Sequence, residues 1–122
     1  MLKKTVKISV LYDFYNQLLT EKQRDIVDLY YNQDLSLGEI AEELDVSRQA
    51  VYDMLKRTER ILYQYEEKLN LIKLANIKNK RILNILDGII DLENELNSIP
   101  SSRQLTKQIF RIKDELYKVL ND

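Results

Sequence analysis

The stretch SLGEIAEELDVSRQAVYDMLKR, Ser36 to Arg57, leaves the chain few folds to choose from, because it holds two helix starts separated by one tight corner. Ser36 and Glu39 stand in the Ser-x-x-Glu arrangement, where hydroxyl and carboxylate each accept from an otherwise free backbone N–H, so a short helix should run from about Leu37 to Leu44. Asp45 and Val46 form a turn, and Ser47 can cap a second helix carrying Val51, Met54, Leu55, Thr58, Ile61 and Leu62. Helices joined so closely must cross at short range. That requires a small residue in the first, here Ala41, and apolar anchors in both, here Ile40, Leu44, Val46, Val51 and Met54. With the anchors inward, the helical period leaves Arg48, Gln49, Tyr52, Asp53, Lys56 and Arg57 facing outward.

The flanking segments are helical as well. Ile8, Leu11, Tyr12, Tyr15, Leu18 and Leu19 recur at three- and four-residue steps, which predicts an amphipathic helix from Val6 to Leu19. Thr20 and Gln23 open the next helix with another capping box, and its buried side takes Ile26, Val27, Leu29, Tyr30 and Tyr31 before NQDLS breaks it. After Tyr63 a long helical stretch reaches Pro100, which disfavours a helical Ile99 and stops it. Leu62, Tyr65, Leu69 and Ile72 follow one spacing, and Ile82, Ile85, Ile89, Leu92, Leu96 and Ile99 another that is out of phase, so a bend or break is expected at Asn76 to Lys80. A last helix from near Ser102 aligns Leu105, Ile109, Ile112, Leu116 and Val119 or Leu120. With two Gly and one Pro in 122 residues, the chain is expected to be all-α. The expected organisation is a helix-turn-helix domain over 1-65 and a C-terminal helical extension over 66-122, packing on the head or on a second subunit.

What is missing narrows the chemistry. Without cysteine there is neither a disulfide nor a thiolate metal site, and a reducing compartment is the natural home, so a cytoplasmic protein is expected. Without histidine the residue most used for proton transfer near neutral pH is gone, and no nucleophile–base pair or Gly-rich phosphate loop replaces it. No enzyme activity, cofactor or metal is expected. The opening MLKKTVKISVLYDFYNQ is too polar after Leu11 for a signal-peptide core, and no apolar run is long enough for a membrane span.

An outward row of Arg48, Gln49, Tyr52, Asp53 and Lys56 has the residue types that read base edges: Arg pairs with guanine, Gln with adenine, and Asp accepts from cytosine. The same pattern also fits two packed helices of an ordinary bundle with a solvated face. Charge weighs on the first reading. From Ser36 to Arg60 four basic residues face six acidic ones, a net of −2, within a chain of net −1, so the head alone should hold a phosphate backbone weakly. A second basic patch, Lys68, Lys73, Lys78, Lys80 and Arg81, lies in a stretch from Lys68 to Leu86 that has no acidic residue. It can follow RNA or DNA phosphates, or pair with Asp87, Asp91 and Glu95 between helices. Tyr12, Phe14, Tyr15, Tyr30 and Tyr31, spaced among Leu and Ile, are expected in the core.

LTEKQRDIVDLYYNQDLSLGEIAEELDVSRQAVYDMLKRTERIL, Leu19 to Leu62, resembles the promoter-reading fourth region of bacterial sigma factors, and DLSLGEIAEELDVSRQAVYD with KRTE is closely similar to the YlxM family. The resemblance covers the first half well; beyond it the likeness is mainly in helical character. It implies a small bacterial helix-turn-helix protein whose genes neighbour those of the signal recognition particle (SRP) GTPase Ffh and its receptor FtsY. An accessory or regulatory role in the SRP pathway follows, with Ffh or SRP RNA as partner. The alternative is a DNA-binding transcriptional regulator acting as a homodimer through the C-terminal helices. By match to the sigma-like motif, Arg48, Gln49, Tyr52, Asp53 and Lys56 are the contact residues. Asp45 stands where that motif often has glycine to take a positive φ.

Overall fold

The structure, a computed structural model, describes residues 2–99 and 101–121, with side chains from Thr5 onward. Among the described residues it is all-α: α1 Leu2–Tyr15, α2 Glu21–Val27, α3 Leu37–Leu44, α4 Arg48–Leu69, α5 Leu71–Leu96 and α6 Arg103–Asn121. A 3₁₀ turn, Asn16–Leu18, follows α1, and a π-turn, Asp28–Asn32, extends α2. The chain divides into two compact units, Met1–Ile72 and Lys73–Asp122. The helix stop expected at Pro100 lies outside the described residues.

In the first unit α4 packs against α1, α2 and α3. Its core joins Ile8, Leu11, Tyr15 and Leu19 to Ile26, Val27 and Leu29, then to Ile40 and Ala41, and to Val51, Leu55 and Leu62 of α4. The starts of α2 and α3 are fixed by neighbouring residues. The Thr20 hydroxyl accepts from the Gln23 N–H at 3.2 Å, and the Thr20 N–H donates to Gln23 Oε1 at 2.9 Å. Ser36 and Glu39 repeat this exchange, both bonds at 3.1 Å. The π-turn ends because Asp28 accepts from the side-chain amides of Asn32, 2.9 Å, and Gln33, 2.8 Å, while Asp34 turns the chain with φ 56°.

Four expectations of burial need correction. Leu18 and Phe14 are exposed, because the 3₁₀ turn rotates Leu18 off the stripe and Phe14 stands on the outer side of α1. Leu44 and Val46 are 37 % and 42 % exposed rather than anchoring the corner: α3 spans only eight residues, so its last turn reaches past the core, and Leu55 packs inside instead.

The long helical stretch also breaks elsewhere than expected. α5 runs unbroken through Asn76 to Lys80, whereas Asn70 takes the left-handed conformation, φ 57°, and its N–H closes α4 onto the Glu66 carbonyl at 2.8 Å. Asparagine tolerates this conformation better than most residues, so the helix stops without a glycine. The first amides of α5 then find side-chain partners. Leu71 N–H donates to the Tyr15 hydroxyl at 3.1 Å, Ile72 N–H to Glu66 Oε1 at 3.0 Å, and the Tyr15 hydroxyl donates to that same oxygen. The out-of-phase spacing around Asn76 to Lys80 therefore marks a change of packing, not of backbone.

The second unit is a hairpin of two long helices. The α5–α6 corner turns at Ser101, φ 79°, and the Ser102 hydroxyl donates to the Leu96 carbonyl at 2.9 Å. Twenty residues apart in sequence, Lys113 and Glu93 pair at 3.0 Å, which fixes the antiparallel register. Ile82, Leu86 and Ile109 are buried; Ile85, Leu92, Ile99, Leu105, Ile112 and Val119, expected on the inner stripes, are about half exposed.

Candidate nucleic-acid interface

The corner between α3 and α4 is closed by a backbone motif that leaves α4 no freedom at its start. Asp45 adopts φ 55° and ψ 49°, the Val46 N–H reaches the Ala41 carbonyl at 3.1 Å, and the Asp45 N–H approaches the Glu42 carbonyl at 3.4 Å. This is the pairing that satisfies the last carbonyls of a helix whose terminal residue is left-handed. Two residues later the Ser47 hydroxyl accepts from the Ala50 N–H at 3.0 Å and starts α4. On the inner side Val51 and Leu55 enter the core, with Met54 partly buried.

Helical geometry then decides what faces outward. Arg48, Gln49, Asp53 and Arg57 are exposed, and Tyr52 is 44 % exposed although it sits beside the core. Arg48, Gln49 and Tyr52 line one shallow depression with Leu37, and Tyr52, Asp53, Lys56 and Arg57 line the next with Arg60. Gln49 is already oriented: its Nε2 donates to Asp53 Oδ1 at 3.0 Å, which leaves its carbonyl and second amide hydrogen outward. Arg48 offers its planar donor fork beside it.

Lys56 is differently placed. It is half-shielded, its ammonium stands 5.5 Å from the centre of the Tyr52 ring, and it lies 3.5 Å from Glu59 Oε2. Glu59 is only 5 % exposed, and its Oε1 accepts the Tyr31 hydroxyl. Burial, and then the adjoining Glu59 carboxylate, push the Tyr31 phenol well above its ordinary range. Lys56 thus balances an interior carboxylate and holds Tyr52 from below. Sequence periodicity gave no sign of this, because Tyr31 and Glu59 lie 28 residues apart. Arg60, four residues beyond Lys56 on the same side, was open to recognition from that spacing.

The residues of the second basic stretch fall in the two units, Lys68 in the first and the others in the second. Lys68 is exposed near the end of α4, and Lys73, Lys78, Lys80 and Arg81 are exposed on α5. Lys73 and Lys80, seven residues apart, lie in line; Arg81 is beside them and Lys78 further round the helix. Among the described residues no group of three or more His, Cys, Asp or Glu side chains is placed to hold a metal ion. No described helix is long and apolar enough to cross a membrane.

A capped short helix, a left-handed corner residue and a second capped helix whose outer side is open to solvent over its first two turns define an all-α helix-turn-helix protein. The family model UPF0122, "Putative helix-turn-helix protein, YlxM / p13 like", matches residues 2–109, and the chain belongs to this family. It is 54% identical over 97 residues to UPF0122 proteins of Bacillus cereus strain AH187, Bacillus anthracis strain A0248 and Bacillus thuringiensis subsp. konkukian strain 97-27. Each alignment covers 80% of this chain and 87% of the relative.

Proposed function

We propose that the chain is a non-enzymatic, cytoplasmic nucleic-acid-binding accessory or regulatory protein of the SRP pathway, with SRP RNA and the GTPase Ffh as partners. The observation that carries the nucleic-acid part is the solvent-open start of α4, where Arg48, an oriented Gln49 and Tyr52 stand together. The SRP part comes from the resemblance to YlxM proteins. The head's acidic balance makes help from elsewhere necessary, and Lys68, Lys73, Lys78, Lys80 and Arg81 supply positive charge for phosphates or for an acidic surface of Ffh.

The second reading is a DNA-binding transcriptional regulator that reads a duplex through Arg48, Gln49, Tyr52, Asp53, Lys56 and Arg57. It is favoured by the Gln49–Asp53 bond, since an amide held in place is suited to a paired contact with adenine. In that reading two copies join through the C-terminal helices, giving two weakly charged heads to one site.

Binding of the full chain to SRP RNA and to duplex DNA across a salt series separates the two. The SRP reading expects a preference for RNA that falls when Lys78, Lys80 and Arg81 are replaced by alanine, with a shallower salt dependence. The regulator reading expects sequence-dependent duplex binding that is lost in Arg48→Ala/Gln49→Ala. Absence of binding to either nucleic acid, with capture of Ffh, leaves a protein-binding module and overturns the nucleic-acid reading.

A further inference from the structure

The α5–α6 hairpin carries an apolar face that it does not cover itself. The shielded positions, 82, 86, 89, 93 and 96 on α5 and 102, 106, 109, 113, 116 and 120 on α6, alternate at steps of three and four, as in an antiparallel two-helix seam. The residues immediately before them fall on one flank of the seam, and in an antiparallel pair both helices turn that flank to the same side. On α5 these are Ile85 and Leu92, alternating with Arg81, Gly88 and Glu95; on α6 they are Leu105, Ile112 and Val119, alternating with Ser101, Gln108 and Glu115. The five aliphatic side chains among them are 39–51 % exposed. On the opposite flank the apolar Leu83, Phe110 and Tyr117 are interrupted by Asp87 and Asn94 on α5 and by Arg103, Lys107 and Asp114 on α6.

Three further features bear on what would fit this face. Gly88 lies on the same stripe as Ile85 and Leu92 in the middle of α5, and a Cβ there would meet nothing within 4 Å. A mid-helix glycine with no neighbour in its own chain weakens the helix without internal compensation, but it lets a second helix come close. Arg81 and Glu95 flank Gly88 at equal distance, seven residues to either side, both exposed on that line of the helix. A parallel approach of two α5 helices would set like charges together. An antiparallel approach crossing at Gly88 sets Arg81 of each copy against Glu95 of the other, and Ile85 near Leu92. The pattern is complementary to itself about one point, as a two-fold interface requires. Its extent is adequate: α6 has 19 residues, so the face is about 28 Å long and about 20 Å wide, and its side-chain relief brings it towards the ~800 Å² per partner of a standard interface.

We infer that the occupant of this face is a second copy of the chain, the two hairpins joining as a four-helix bundle with their α5 helices antiparallel and crossing at Gly88. The inference deepens the dimer named under the regulator reading and is independent of what α4 binds.

Sedimentation equilibrium of the full chain over a concentration range tests it. The wild type should have twice the 14.6 kDa mass of one chain. Gly88→Leu, which improves helix propensity and so should keep the hairpin folded, should weaken association at least about tenfold, as should Ile112→Glu. Arg81→Glu should weaken it, and adding Glu95→Arg should restore it. Phe110→Glu, on the opposite flank, should leave the mass unchanged. A monomeric wild type at tens of micromolar overturns both the dimer and the face. A dimer insensitive to Gly88→Leu and Ile112→Glu but dissociated by Phe110→Glu, or a charge swap that fails to restore association, overturns this face alone.

Discussion

The two units use their apolar residues in opposite ways. In the head, Met1–Ile72, large side chains such as Ile8, Tyr15, Ile26, Ile40, Val51 and Leu62 are buried almost without remainder. In the hairpin, Lys73–Asp122, only Ile82, Leu86 and Ile109 are buried among the described residues, while Ile85, Leu92, Leu105, Ile112 and Val119 stay about half open along one flank. The head is built to hold one shape by itself and to present α4; the hairpin keeps apolar surface in reserve. Substitutions should therefore be felt as stability in the first unit and as association in the second.

The sharpest test of that contrast is a pair of truncations. Leu62→Ala should cost the head about 2–5 kcal/mol, measured by denaturant unfolding. Seven of the eight tyrosines lie in the head, so tyrosine absorbance reports on that unit. Leu92→Ala, half exposed on the hairpin, should leave the tyrosine transition in place; equal losses from both would end the contrast. Next in size is Tyr15→Phe, which removes the hydroxyl shared by Glu66 and the Leu71 amide and should cost about 1–3 kcal/mol. Hydrogen exchange of the Leu71 and Ile72 amides should rise with it, and unchanged protection would mean that α5 does not depend on this cap.

Ser47→Ala should cost about 1 kcal/mol, because the Ala50 N–H loses its acceptor, and any loss of binding in this variant should track the loss of structure. Acid gives the smallest effect. The Asn32 and Gln33 amides hold the Asp28 carboxyl below its ordinary 3.8, and the N–H and hydroxyl of Ser36 hold Glu39 below its ordinary 4.5. A lowered folded-state value means that these groups stabilise the head fully above those pH values, with the benefit fading as pH falls through the lowered ones. The melting temperature should be level above about pH 5.5 and decline below about pH 4.5, with a smaller decline in Asp28→Asn. A head that gains stability on acidification contradicts both bonds.

Local chemistry was the most legible part of the chain. The capping boxes at Thr20 and Ser36, the cap at Ser47 and the start of α3 at Leu37 follow from neighbouring residues, and each appears in the structure. Periodicity also indicated which residues of α4 meet solvent, since Val51 and Leu55 fix its inner side. It did less well where burial depends on how far another element extends: Leu44, Val46, Phe14 and Leu18 have the right spacing but are covered only in part. The stop at Asn70 was hidden because a single asparagine takes the left-handed conformation with help from Tyr15 and Glu66, more than fifty residues apart in sequence. The second role of Lys56, beside an interior carboxylate, was hidden because Glu59 is drawn inward by Tyr31, 28 residues away.

Fluorescence anisotropy with labelled SRP RNA and duplex DNA, comparing the full chain with Arg48→Ala/Gln49→Ala over a salt series, most directly tests whether the open start of α4 is a nucleic-acid interface. Binding should weaken with salt and fall at least about tenfold in the double variant, whose melting temperature stays that of the wild type. Equal affinity of the two proteins, or no binding by either at low salt, would contradict it.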